Sequence, residues 1–141
     1  DYCKFMRLFL NNGEANGNQF ISSETLELMK TNQIGDLNYE FQPTYNPSLI
    51  HAHEWYPNIK KKFTYGFLTN LEDMPGGRKA GSLAWSGICN TYFWIDPSSG
   101  IAGTAMMQLS PHYDKRCISI LEALEKASYS ELDVLNNWSA T

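Results

Sequence analysis

The stretch Ala80-Gly81-Ser82-Leu83-Ala84-Trp85-Ser86-Gly87-Ile88-Cys89-Asn90-Thr91-Tyr92-Phe93-Trp94-Ile95-Asp96-Pro97 sets the fold of this chain. Ser82 to Ile88 and Thr91 to Ile95 are runs of apolar, aromatic and small residues broken at Cys89-Asn90, which reads as two strands joined by a tight turn. Asp96-Pro97-Ser98-Ser99-Gly100 makes a further turn into a strand from Ile101 to Leu109, which Pro111 ends. Strands joined by short turns tend to pair with one another, so the spacing predicts an antiparallel meander. Ile101-Ala102-Gly103-Thr104-Ala105-Met106-Met107 is apolar on both faces and carries no charge, the pattern of a strand inside a sheet. The strand before it covers one edge, and nothing else in the chain supplies the other neighbour. That missing neighbour points to further polypeptide. Ala102, Gly103 and Ala105 are small enough to admit a closely packed helix.

Working upstream, Asp73-Met74-Pro75-Gly76-Gly77 reads as a turn, and the alternation of Phe63, Tyr65 and Phe67 with Thr64, Gly66 and Leu68 predicts a strand. From Gln33 to Lys62 there is little periodicity. Pro43, Pro47 and Pro57 punctuate a segment rich in Tyr, Phe and Trp, which favours a packed lid or pocket wall. At the start of the chain, Tyr2, Phe5, Met6 and Phe9 recur at helical spacing and Asn12-Gly13 supplies the stop. After the turn-rich Glu14-Ala15-Asn16-Gly17, Ser22 or Ser23 caps a second helix, with Ile21 and Leu26 placed as a staple across Ser22. That helix turns Leu26 and Met29 inward and fades at Thr31-Asn32. Downstream, a helix from about Tyr113 to Ser128 presents Cys117, Ile120, Leu121 and Leu124 on one face. The expected class is α+β: an antiparallel sheet portion with the C-terminal helix on one face and the opening helices packed beside it.

With 141 residues, of which 43% are hydrophobic and 18% charged, the chain has the composition of one globular core. A net charge of -4 without a basic block gives a nucleic-acid role no electrostatic support. No apolar run reaches the length of a membrane span, and the N-terminus does not resemble a signal peptide. The chain opens at Asp1 and runs straight into helical sequence, which suggests a portion of a longer protein. Cys3, Cys89 and Cys117 fit neither a disulfide framework nor a zinc pattern, and are expected to be small buried hydrophobes.

The block from Ala80 to Pro97 resembles the best-preserved part of the class C β-lactamase and penicillin-binding-protein-like serine esterases. Gly100-Ile101-Ala102-Gly103-Thr104-Ala105-Met106-Met107-Gln108 is similar to the strand that follows in those proteins. Asp1 to Glu14 is similar to the helix between that family's central tyrosine and this strand. The order agrees from Asp1 to about Ser128, so the resemblance makes residues 1–141 the C-terminal portion of such a domain, with the tail from about 129 outside it. In that family a Ser-x-x-Lys motif supplies nucleophile and base, a second motif supplies a tyrosine, and a third lies on the strand beside the nucleophile as Lys-Thr-Gly, Trp-Gly-Gly or His-x-Gly. Trp85-Ser86-Gly87 matches the third motif.

The resemblance implies that Trp85, Ser86, Gly87 and Ile88 line the catalytic site, with the Ile88 N–H as one oxyanion donor and the nucleophile's own N–H as the other. The chemistry needs a strand that aims an N–H where charge develops, and a glycine that lets substrate approach. Trp85 stands where β-lactamases keep a lysine, and an indole offers an apolar wall in place of a cation. That favours an esterase or transesterase over a β-lactamase, and the flanking match favours this role for Trp85 over that of an ordinary core tryptophan. Ser86 departs from the glycine of the Trp-type motif but keeps the hydroxyl of the Lys-Thr-Gly form.

No serine in the chain is followed three positions later by lysine, and Tyr56-Pro57-Asn58 matches the tyrosine motif only at the wrong place in the order. The expected partners are therefore the N-terminal portion of the same protein, carrying the nucleophile, and a small ester or amide substrate. No cofactor is implied. The alternative is a non-catalytic relative that kept the scaffold as a binding or structural module. A self-contained hydrolase using Ser86 or Cys89 with a histidine lacks a nucleophile-elbow or cysteine-protease signature. His51 and His53, two apart, would share a strand face as metal ligands do, but no third ligand sits at a matching spacing; histidines beside a pocket are the simpler reading. Asn137-Trp138-Ser139 is a glycosylation string that only a secreted eukaryotic protein would use. Leu132, Leu135 and Trp138 in the tail are placed to pack as a short helix or to dock on a neighbour.

Overall fold

A computed structural model describes residues 1–139, with side chains described through Glu131. The chain begins with helix α1 (Tyr2–Leu10), whose Met6 and Phe9 are buried as the helical spacing requires. A two-residue hairpin follows, β1 (Glu14–Ala15) against β2 (Asn18–Gln19). Its turn residues Asn16 and Gly17 both have positive φ, the geometry that Asn-Gly favours in tight hairpins. In α2 (Ser23–Lys30) the Ser22 hydroxyl accepts from the Thr25 N–H as N-cap, and Ile21 packs in the same apolar cluster as the buried Leu26.

Five strands then form one antiparallel sheet in sequence order: β3 (Lys61–Phe63), β4 (Leu68–Asn70), β5 (Leu83–Gly87), β6 (Thr91–Asp96) and β7 (Ile101–Ala105). Helix α3 (Lys115–Ser139) closes the chain. Because side chains alternate along a strand, the rung Leu83–Ile95 faces one way and the next rung, Ala84–Trp94, the other. Leu83 and Ile95 pack with Met6, Phe9, Leu26 and Phe67 under α1 and α2. Ala84 and Trp94 pack with Trp55, Leu68, Tyr92, Cys117 and Leu121 under α3 and the 33–62 segment. The sheet is thus covered on both faces, with the opening helices opposite the C-terminal one.

Several expectations are corrected. Residues 63–68 are not one strand but the bend of a hairpin: the Thr64 N–H donates to the Phe67 carbonyl and Gly66 turns at φ +93. The alternation there imitates a strand because Phe63 and Leu68 are cross-strand partners. The last strand stops at Ala105 rather than Leu109 and forms an edge of the sheet among the described residues. Gly103 makes room for a side chain, not a helix: a Cβ there would collide with the Trp94 indole across the rung. Only Ala102 faces α1's cluster. On α3, Cys117 and Leu121 are buried but Ile120 and Leu124 are exposed, and Glu125 and Tyr129 complete the inward face. Cys3 is exposed and Cys89 half-buried, so only Cys117 behaves as a core residue. The helix also runs unbroken past Ser128, so the tail is not a separate short helix. The side chains of Leu132, Leu135, Asn137, Trp138 and Ser139 lie outside the described residues.

Candidate functional site

The end of β5 is where the sheet opens. β4 pairs with β5 only at Leu68–Ala84 and Thr69–Leu83, whereas β6 continues alongside to Gly87–Thr91. From Trp85 to Gly87 the β5 edge on the β4 side therefore has no strand against it. A groove of about 300 Å3 lies along this segment, lined by Trp85, Ser86, Gly87 and Ile88 together with residues of the 33–62 segment and His112. All four residues expected from the sequence meet in one place. Ile88 itself falls just outside β5, at the start of a turn in which the Asn90 N–H donates to the Gly87 carbonyl.

Each side chain has a local reason for its position. Trp85 sits 5.0 Å from the Phe63 ring and 6.3 Å from the Tyr39 ring, edge-on to both, and keeps 36% of its surface exposed. Gly87 has a packing role, because a Cβ there would strike the Thr91 hydroxyl on the opposite strand unless that side chain moved. Ser86 lies across from Tyr92, and its Oγ is 3.3 Å from His112 Nε2.

His112 is the residue that sequence reasoning placed nowhere in particular. Its loop is held by Asn90, which is wholly buried. The Asn90 amide donates to the carbonyls of Leu109 and Pro111 at 2.8 Å each, and its carbonyl accepts from the Tyr92 hydroxyl and from the Asp114 N–H. Asn90 also takes φ +59, a left-handed conformation that asparagine tolerates better than most residues. The only advance signal was this asparagine in the tight turn after the third-motif strand.

The 33–62 segment forms the groove wall, as its aromatic content suggested. Gln42 and His53 bridge to each other, and Ile50 bridges to His112. His53 stacks on Tyr113 at 4.3 Å and meets the His112 ring edge-on at 5.5 Å. His51 and His53 do not share a face: His53 is buried, whereas His51 is exposed with Nδ1 on the Tyr113 carbonyl. Among the described residues no three His, Cys, Asp or Glu side chains converge to hold a metal.

Burial, and then the neighbouring His53, push the His112 pKa down to about 4, against a smaller upward pull from the Gly87 carbonyl. The ring is therefore neutral near pH 7. Among the described residues His112 Nδ1 is buried without a hydrogen-bond partner, so no carboxylate orients the ring as one orients a catalytic base. A strand edge, a glycine, an exposed indole and a neutral Ser–His pair can bind an acyl group and offer hydrogen bonds to it. They lack an activated nucleophile.

No family model matches the chain. It is 32% identical over 82 residues to the ML-236A carboxylate methylbutanoyltransferase mlcH of Penicillium citrinum, a match covering 57% of this chain and 20% of that protein. It is 33% identical over 75 residues to the monacolin J acid methylbutanoyltransferase of Aspergillus terreus (strain NIH 2624 / FGSC A1156), covering 52% of this chain and 18% of that protein. Among solved structures, the LovD6 mutant of simvastatin synthase (LovD) from Aspergillus terreus superposes with a TM-score of 0.70 at 22% identity, over 94% of this chain and 32% of that one. The unliganded selenomethionyl LovD gives 0.69 at 22%, over 92% and 33%. The chain thus spans about a third of the length of the solved relatives it matches. The chain is built as the C-terminal part of a β-lactamase/transpeptidase-like α+β fold.

Proposed function

We propose that this chain is the C-terminal portion of a serine acyltransferase or esterase that works through an acyl-enzyme, and that it supplies one wall of the acyl site. The observation that carries this reading is the unpaired β5 edge from Trp85 to Gly87 beside an aromatic groove. In acyl transfer, charge builds on the former carbonyl oxygen, and fixed N–H donors lower that barrier. The Ile88 N–H is the donor from this chain, and the nucleophile's own N–H is the other. Trp85 walls the acyl pocket and Gly87 keeps its approach open. The nucleophilic serine, its lysine and the tyrosine motif come from the portion of the protein that this chain lacks. The relatives named methylbutanoyltransferases favour transfer of an acyl group over plain hydrolysis.

The Ser86–His112 pair at 3.3 Å raises a second reading, a self-contained serine hydrolase. The unpartnered Nδ1 and the lowered proton affinity of His112 weigh against it, because a general base works best with a pKa near the working pH. The experiment is to assay an activated ester, and acyl transfer from it to an alcohol, with the complete protein and with residues 1–141 alone. The complete protein should turn over and the isolated chain should not. Turnover by residues 1–141 alone would overturn the proposal. A complete protein that lacks an upstream Ser-x-x-Lys and shows no turnover would establish the binding-module alternative instead.

A further inference from the structure

Among the described residues the groove lining includes no Lys or Arg, and beside Ser86, the two histidines and the indoles of Trp55 and Trp85 its polar side chains are Tyr39 and Gln42. The electrostatic character there is set by a neutral pair, Ser86 and His112. Their 3.3 Å contact has two possible proton arrangements. If Ser86 donates to Nε2, the ring proton sits on Nδ1, a buried N–H with no acceptor. If Nε2–H donates to Ser86, Nδ1 is a bare acceptor and the serine proton is left over. Buried N–H groups without acceptors are rarer than unused acceptors, which favours the second arrangement.

We infer that His112 carries its proton on Nε2, donates it to Ser86, and so turns the Ser86 O–H into the groove as a fixed donor for a neutral oxygen of the substrate. The substrate class is an ester or acceptor alcohol with an ether, ketone or hydroxyl oxygen near the reacting carbon. Among the described residues no Lys or Arg lines the groove to receive a carboxylate. His112 is a positioning residue and does not touch the substrate. Asn90 in turn positions His112 by fixing the carbonyls of Leu109 and Pro111 on either side of the turn. Tyr92, directly across from Ser86 and 5.8 Å from the imidazole ring, limits the ring's tilt. The assignment rests on the proposed acyl-transfer reading only for its kinetic test.

Two readouts separate it from that reading. The first needs no turnover: 15N chemical shifts of the imidazole in the complete protein. They should show the Nε2–H tautomer for His112, and Ser86→Ala should shift Nε2 while leaving the tautomer unchanged. An Nδ1–H tautomer would overturn the inference, whatever the enzyme does. The second uses isosteric pairs, 4-nitrophenyl methoxyacetate against 4-nitrophenyl butanoate as acyl donors, and 2-methoxyethanol against butanol as acceptors. In at least one pair, Ser86→Ala should lower the kcat/KM preference for the oxygenated member by about tenfold, the scale of one hydrogen bond. His112→Leu should lower it similarly, and Ser86→Thr and His112→Gln, which keep the hydroxyl and a donor, should restore most of it. Unchanged preference in both pairs for Ser86→Ala would overturn the donor role.

Discussion

At the Leu83–Ile95 end of the β5–β6 ladder both faces of the sheet are sealed, and every buried charge there has partners. Asp96, wholly buried, accepts from the N–H groups of Lys79 and Ser99 and from the Tyr129 hydroxyl. Beside it Arg78 donates twice to Glu125, while Tyr56 donates to the same carboxylate and accepts from Arg78. At the Gly87–Thr91 end, β4 has stopped, Trp85 and Ile88 are exposed, and the polar groups are only partly used. Of the three buried side-chain polar atoms without a partner among the described residues, two, Tyr39 OH and His112 Nδ1, belong to groove residues. Buried polar groups in a folded chain are normally satisfied, so unused hydrogen bonds concentrated at one end mark the end built for something besides stability.

That contrast can be broken most forcefully at the sealed end. Glu125→Ala leaves the Arg78 guanidinium buried without its carboxylate, and should cost about 3–5 kcal/mol in urea unfolding. A loss under 1 kcal/mol would mean that the pair is far more solvated than its burial implies. Asn90→Ala comes next, at about 2–3 kcal/mol, because it strands the Leu109 and Pro111 carbonyls and strains a left-handed residue. Asn90→Gly removes the bonds without the strain and should recover part of that loss, which sharpens how much is hydrogen bonding. Trp85→Ala should cost only about 2 kcal/mol, below the 3–5 kcal/mol of a fully buried aromatic, while impairing ester turnover by the complete protein severely. The opposite ranking would make Trp85 a packing residue.

The smallest effect is on pH dependence. The unfolded chain protonates His112 near its ordinary value of 6.5, and the folded chain only near 4. The unfolded state therefore binds the extra proton first, so stability present above pH 6.5 is lost as pH falls towards 4. In His112→Gln, that part of the pH slope of unfolding free energy should vanish. The Asp114 carboxyl is held well below its usual range by Arg116, so its loss belongs to a lower, separate window.

The sequence disclosed the meander because its information is local: turn residues at Asp96–Gly100, alternation through Thr91–Ile95, and one break at Cys89-Asn90. Trp85 to Ile88 could be singled out as candidates because a contiguous motif needs no tertiary contact to be seen, whereas the groove they line could not. The groove wall was visible only as composition, since His53 and His112 are far apart in sequence and meet through irregular backbone. The hairpin at Thr64–Phe67 was hidden because a two-residue period survives across a short bend, although Gly66 was the clue. On α3, apolar periodicity favoured Ile120 and Leu124 over Glu125. The helix instead buries a carboxylate, made tolerable by partners far upstream, Arg78 at 47 residues and Tyr56 at 69.

The central claim is that this chain furnishes a wall of an acyl site whose nucleophile lies outside residues 1–141. It is tested most directly by treating the complete protein with a serine-reactive fluorophosphonate and mapping the modified residue by mass spectrometry. The account predicts stoichiometric labelling of a serine upstream of Asp1, in a Ser-x-x-Lys motif, with every serine of residues 1–141 unmodified. Labelling of Ser86, with His112→Leu abolishing it, would contradict the account and place the whole active centre within this chain.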